Sequence, residues 1–268
     1  MFCDQCEQAA GGTGCATKMG VCGKDEDIHS LQDTLIYGLK GIAAYAYHAR
    51  QLGARDEEVD AFMDEALFKT LTNVSFDLHD HLKTVLKCGA MNLKVMELLD
   101  KVHIENFGTP VPTEVETGTK KGHGILVSGH DLLDLFELLK QTEGTGVNVY
   151  THGEMLPAHG YPELKKFKHL VGNYGGAWQE QRKDFNAFHG AILVNTNCVQ
   201  VPAPDTYLDR LFTVGIVAVP GAKHLKDRDF SALIQKAKSL PSLQESTGKN
   251  ILTGFHHTAI LGLADKIG

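Results

Sequence analysis

The chain has 268 residues, of which 43% are hydrophobic and 22% charged, and a formal net charge of −7. That length buries a substantial core and accommodates two domains. No run of lysine or arginine stands out, so no nucleic-acid partner is expected, and no apolar stretch is long enough to span a membrane. No basic segment leads into an apolar stretch at the amino terminus. A cysteine motif opens at residue 3, where a cleaved leader would remove it, so a cytoplasmic location is expected.

Cys3, Cys6, Cys15 and Cys22 follow the pattern C-x2-C-x8-C-x6-C among Gly11, Gly12, Gly14, Gly20 and Gly23. Glycine lets such a loop fold back on itself, and four converging thiolates can hold a cubane iron–sulfur cluster or a tetrahedral zinc. Zinc sites usually bring two C-x2-C knuckles, and this loop has one. The spacing therefore favours iron–sulfur, with zinc and a pair of disulfides as the alternatives.

Three amphipathic helices follow. Ser30 is the expected N-cap of the first, whose apolar row is Leu31, Leu35, Leu39, Ile42 and Ala46, with a stop at Leu52-Gly53. The second starts near Asp56 and carries Val59, Phe62, Met63, Leu67 and Leu71. The third runs from near Phe76 through Leu78, Leu82, Val85, Leu86, Leu93, Met96 and Leu99, with Cys88 as a core residue. Short connections make these an antiparallel bundle.

Thr109-Pro-Val-Pro-Thr113 cannot be helical, and Thr117 to Gly122 continues in the same character. Beyond it, apolar runs at 124–128, 147–150, 191–194 and 214–219 alternate with helical stretches at 132–139 and 230–237, and a last helix spans 259–267. That alternation predicts a parallel sheet flanked by helices. The fold expected is multidomain α and α/β. A cysteine loop (1–29) and a three-helix bundle (30–105) are followed by a linker (106–122) and a Rossmann-like α/β domain (123–268). His130, Glu154 and Cys198 each fall just past the carboxyl end of a predicted strand, the edge where open α/β sheets bind ligands. Nitrogen, oxygen and sulfur donors on one rim suit a transition metal. With 14 histidines in the chain, a histidine near a strand end is more often a hydrogen-bonding residue, and this holds for His152 and His159 too.

Met1-Phe-Cys-Asp-Gln-Cys-Glu-Gln, Thr13-Gly-Cys15 and Val21-Cys-Gly-Lys24 resemble the amino terminus of the hybrid cluster protein family, also called prismane protein or hydroxylamine reductase. Val149 to Leu164, with His-Gly-Glu154-Met, resembles the same family, as does Gly190 to Cys198, with Thr-Asn-Cys198. Gly175-Gly-Ala-Trp-Gln179 and Ile251-Leu-Thr-Gly-Phe255 agree. The resemblance implies that Cys3, Cys6, Cys15 and Cys22 bind a cubane, [4Fe-4S] in most members and [2Fe-2S] in some. The last cysteine spacing is one residue longer than the usual [4Fe-4S] pattern. It further implies that His130, Glu154 and Cys198 supply part of the ligands of a hybrid iron–sulfur–oxygen cluster.

The implied activity is reduction of hydroxylamine by two electrons and two protons to ammonia and water, with nitric oxide as the other small N–O substrate. No catalytic residue is expected beyond the cluster ligands, although His152 or His159 could bring protons. A redox donor protein is the implied partner. The chain looks like the compact subclass without a second helical bundle. It also lacks the carboxy-terminal α/β domain with the remaining ligands. It is therefore expected to be an amino-terminal portion or half of a split protein, with the missing domain or subunit as a partner. Three other readings stand beside this one: an iron–sulfur electron carrier or redox sensor, a carbon monoxide dehydrogenase with differently ligated iron, and a zinc-stabilised structural domain.

Overall fold

A computed structural model describes residues 3–12, 14–71 and 74–267. Met1, Phe2, Thr13 and Gly268 lie outside the described residues, with the parts of the motifs that fall on them. The chain divides into two compact units, Met1–His103 and Ile104–Gly268.

In the first unit the cysteine loop leads into α1 (Glu26–Gln51), α2 (Glu57–Thr70) and α3 (Leu78–Phe107), whose last residues fall in the second unit. The cap of α1 is Asp25, not Ser30. The Asp25 carboxylate accepts from the Ile28 amide at 2.9 Å, whereas the Ser30 hydroxyl donates back to the Glu26 carbonyl inside the helix. A carboxylate at the first turn also complements the helix dipole, which serine does not. Asp56 caps α2 by accepting from the amides of Glu58 and Val59.

Gln32 reaches the Lys69 carbonyl and Arg50 pairs with Asp60, so α2 runs antiparallel to α1. Lys69 meets Asp80 while Lys94 meets Asp56, so α3 reverses direction again. Leu35, Leu39 and Ile42 share one core with Val59, Phe62, Ala66, Cys88, Met91 and Val95. The expected inner row of α3 is corrected. Leu78, Leu82, Leu86, Leu93 and Met96 are exposed, and Cys88, Met91, Val95, Leu99 and Val102 are buried together with His81 and Thr84. Hydrogen bonds make the two polar residues affordable there: His81 meets Gln32 at 3.2 Å, and Thr84 accepts from Lys69 at 3.2 Å.

The second unit begins with β1 (Thr113–Glu116), inside the stretch read as linker. The next elements in order are β2 (His123–Ser128), α4 (Leu132–Thr142), β3 (Val147–His152), α5 (Pro162–Lys165) and β4 (Leu170–Asn173). After them come α6 (Gln181–Ala187), β5 (Ala191–Val194), β6 (Leu211–Thr213), β7 (Lys223–His224) and α7 (Ser231–Ser239). The last are β8 (Asn250–Thr253), α8 (His257–Leu261) and α9 (Ala264–Ile267). Val115 gives β1 one buried anchor, and β1 pairs antiparallel with β8, with Thr113 opposite Thr253 and Glu116 opposite Asn250.

The other six strands form a parallel sheet in the order β4-β3-β2-β5-β6-β7. Leu126, Tyr150, Ile192 and Leu211 pack from this sheet against Phe185, Phe188 and Tyr207, and α7 packs on β2 and β5. Strands covered on both faces read as unbroken apolar runs, which is why 124–128 and 191–194 stand out in the sequence. The strand expected at 214–219 is corrected to β6 at 211–213, because the chain turns at Gly215 (φ 70°) and leaves the sheet. The single helix expected at 259–267 is two short ones, separated at Gly262.

Candidate functional site

Cys3, Cys6, Cys15 and Cys22 line one cavity of about 180 Å³ in the first unit. A two-residue ladder builds it: the Cys3 amide donates to the Cys15 carbonyl and the Cys15 amide to the Cys3 carbonyl, both at 2.8 Å. The Val21 amide points at the Cys15 sulfur at 3.5 Å. Burial raises the Cys3 thiol above its usual value, and the neighbouring Cys15, Cys22 and Cys6 raise it further. Lys24 is buried on the same cavity, donating to the Leu71 carbonyl at 2.8 Å. Burial pulls its pKa down, and Cys22 and Cys3 push it back up. A buried ammonium is costly unless negative charge shares its surroundings, and four thiolates around a metal group supply that charge. The four cysteines, the cavity they line and the cation fit an anionic metal–thiolate group.

The second cluster lies on the parallel sheet. The strand order steps outward in both directions from the β2/β5 pair, so the carboxyl ends of β2 and β5 flank the topological switch point. Ser128 stands in register with His152 of β3 and with Val194 of β5, so the three strands end level. His130, Glu154 and Cys198 follow those ends, and one donor atom from each lies within 4.8 Å of the others.

His130 Nε2 meets Glu154 Oε2, and the Cys198 thiol donates to the same oxygen at 3.7 Å. The bond from His130 holds the Glu154 carboxyl below the usual carboxylate range. Burial pushes the Cys198 thiol up, and Glu154 adds to it. His130 Nδ1 meets the Thr196 hydroxyl at 2.8 Å, and its amide donates to Asn195 Oδ1 at 3.2 Å. An imidazole fixed through one nitrogen presents the other in a set direction, the usual support for a metal-binding histidine. Gly129 (φ 135°) allows the approach, since a Cβ there would sit 2.0 Å from Asn195 Oδ1. The donor set suits a borderline transition metal, and its mixed hardness suits iron.

Both histidines considered as proton carriers are buried. His152 is 0% exposed, with Nε2 3.1 Å from Asp184 Oδ2 and Nδ1 3.3 Å from the Ser128 hydroxyl. Burial lowers its pKa against the pull of Asp184. His159 meets the Thr151 hydroxyl at 2.9 Å, and burial lowers it to about 4, so it is a neutral core residue near neutral pH. Asn195, Thr196 and Gln181 escaped the sequence reading. The polar run Asn195-Thr-Asn directly after an apolar strand is the signal that could have found the first two.

Residues 1–85 and 77–260 match the model of the Prismane/CO dehydrogenase family. The chain is 69% identical over 267 residues to a hydroxylamine reductase of Moorella thermoacetica and 56% identical over 268 residues to one of Thermotoga petrophila. In each case the match covers 100% of this chain and 62% of the relative, so the chain spans less than two thirds of their length. Among solved structures, carbon monoxide dehydrogenase IV from Carboxydothermus hydrogenoformans superposes with a TM-score of 0.73 at 16% identity. That match covers 100% of this chain and 60% of that one, and at such identity it speaks for the fold alone.

Proposed function

The chain belongs to the Prismane/CO dehydrogenase family, and from that premise we propose that it is part of an iron–sulfur oxidoreductase acting on a small N–O substrate. The observation that carries this reading is the convergence of His130, Glu154 and Cys198 within 4.8 Å at the switch point of the sheet. Cys3, Cys6, Cys15 and Cys22 would hold a cubane cluster. His130, Glu154 and Cys198 would hold part of a hybrid iron–sulfur–oxygen cluster. When bound, such groups supply single electrons and iron positions that a small N–O molecule can occupy.

The chain's own residues prepare those positions. Thr196 and Asn195 orient the imidazole of His130, and Glu154 is ionised at neutral pH. Cys198 must lose a proton that burial and Glu154 help it keep, so metal uptake at the rim releases a proton. The proposed reaction of the whole protein is hydroxylamine plus two electrons and two protons giving ammonia and water, with nitric oxide as the second candidate. A redox donor protein would supply the electrons.

One observation favours a second reading, an electron carrier or redox sensor. Three protein donors cannot complete a site for several irons, whereas the cysteine loop holds all four of its ligands. Anaerobic iron and sulfide analysis with electron paramagnetic resonance tests the loop, where a full cubane gives about four of each. Hydroxylamine-dependent oxidation of reduced viologen tests the reaction, in this chain and in a form with the length of the relatives. Turnover in the longer form alone supports the oxidoreductase reading. No turnover in either form, with the loop cluster present in both, leaves the carrier reading and overturns the first.

A further inference from the structure

Cys198 sits in the left-handed region with φ 62°, although it is not glycine. Such a conformation persists only when its surroundings hold it, and at a functional site it fixes where the side chain goes. Gln181, the first residue of α6, is 0% exposed and directs both ends of its amide at this loop. Its Nε2 donates to the Cys198 carbonyl at 2.8 Å, and its Oε1 accepts from the Gln200 amide at 2.7 Å. The same Nε2 lies 3.5 Å from the Ser128 hydroxyl at the end of β2. The tie is returned from the other side, where Gln200 Nε2 donates to the carbonyls of Trp178 and Gln179.

We propose that Gln181 is the positioning residue for Cys198. Its amide clamps the backbone on both sides of residue 199 and so holds the thiol toward His130 and Glu154. The metal half of the argument rests on the reading of those three side chains as ligands. A buried glutamine with both ends satisfied by one loop is costly to replace, because removing it orphans a carbonyl and an amide together. An apolar residue of the same length fills the space and still releases the loop.

The test uses the full chain and follows Cys198 alone, by alkylation with iodoacetamide resolved at the peptide level by mass spectrometry. The loop cysteines then do not interfere. Without metal, Gln181→Met should alkylate at Cys198 at least tenfold faster than the parent, and the Gln200 amide should exchange its hydrogen faster. Gln181→Glu keeps the acceptor for the Gln200 amide and should be at least threefold faster than the parent but slower than Gln181→Met. It also carries the test if the methionine variant does not fold. Added cobalt(II) should protect Cys198 in the parent, and the protecting concentration should rise at least tenfold in Gln181→Met. His130→Ala should lose cobalt protection. Alkylation and protection within twofold of the parent in either folded Gln181 variant overturn the clamp. No cobalt protection in the parent, with the accelerated alkylation still present, overturns the ligand reading and leaves the clamp standing.

Discussion

Gly129 and Gly122 share the same backbone torsion, φ 135°, but not the same surroundings. A Cβ on Gly122 would find its nearest neighbour, Asn148 Nδ2, at 3.4 Å, which is ordinary contact. A Cβ on Gly129 would lie 2.0 Å from Asn195 Oδ1 and 2.8 Å from Thr196 Oγ1. Gly122→Ala therefore isolates the torsional strain, about 1–3 kcal/mol. Gly129→Ala adds the displacement of Asn195. That side chain accepts from the amides of His130 (3.2 Å) and Asp131 (3.4 Å) and donates to the Asp131 carbonyl (3.0 Å). Three such bonds contribute about 1.5–4.5 kcal/mol together. The sum, about 2.5–7.5 kcal/mol, is a large part of the roughly 5–15 kcal/mol that holds a domain folded. The only tryptophan, Trp178, lies in the second unit. Urea unfolding followed by its fluorescence reads this unit without the three-helix bundle of the first. Equal losses in the two variants, within about 0.5 kcal/mol, would refute the claim that Asn195 braces the His130 loop against the sheet.

Replacing Cys6 by serine should remove the visible iron–sulfur chromophore, read by absorbance on anaerobically purified protein; a variant with full iron content would sink the four-cysteine assignment. Gly38→Ala in α1 should destabilise the bundle, since its Cβ would lie 2.6 Å from Cys88 Sγ, an overpacking cost of about 1–3 kcal/mol. With Cys88→Ala present the same change should reverse sign and stabilise by about 1 kcal/mol, the helix preference of alanine over glycine; the helical transition in circular dichroism reads both. His159 is depressed to about 4 from 6.5, so between those values the unfolded chain binds the extra proton. Stability should therefore fall by about 3 kcal/mol as pH drops from about 6.5 to about 4, with no further loss from this group below that. Unfolding curves of the parent and His159→Gln across that range check it, and equal slopes would remove His159 as the cause.

The helices were legible because three apolar rows recur at helical spacing; Asp56 caps α2 where that helix was expected to start, whereas the cap of α1 lies five residues before the expected Ser30. Which face of α3 points inward was not legible. The helix carries two apolar rows, and the row with more leucines is the exposed one. The buried row contains His81 and Thr84, which look like surface residues until Gln32 and Lys69 are known to stand opposite them. Periodicity measures one helix, whereas the partners of a buried polar group lie on another. The same limit hid β1 and β8. Each is a four-residue strand whose partner lies more than 130 residues away, and neither is apolar enough to announce itself.

The two metal-type clusters differ in how much of each a sequence can carry. The four cysteines are bound into one loop of 20 residues, so their spacing alone states that they can meet. His130, Glu154 and Cys198 meet only because β2, β3 and β5 are neighbours that end level. The position of each after a strand end was readable, and parallel pairing at that edge follows from the alternation of strands and helices. What fixes the donors in place was not readable. Asn195 and Thr196 act on His130 from 65 and 66 positions away, and Gln181 acts on Cys198 from a helix 17 positions back. A ligand can be inferred from its chemistry and its place in a strand pattern. The residues that aim it are ordinary polar side chains, and only their burial beside the packed sheet distinguishes them from polar residues of the surface.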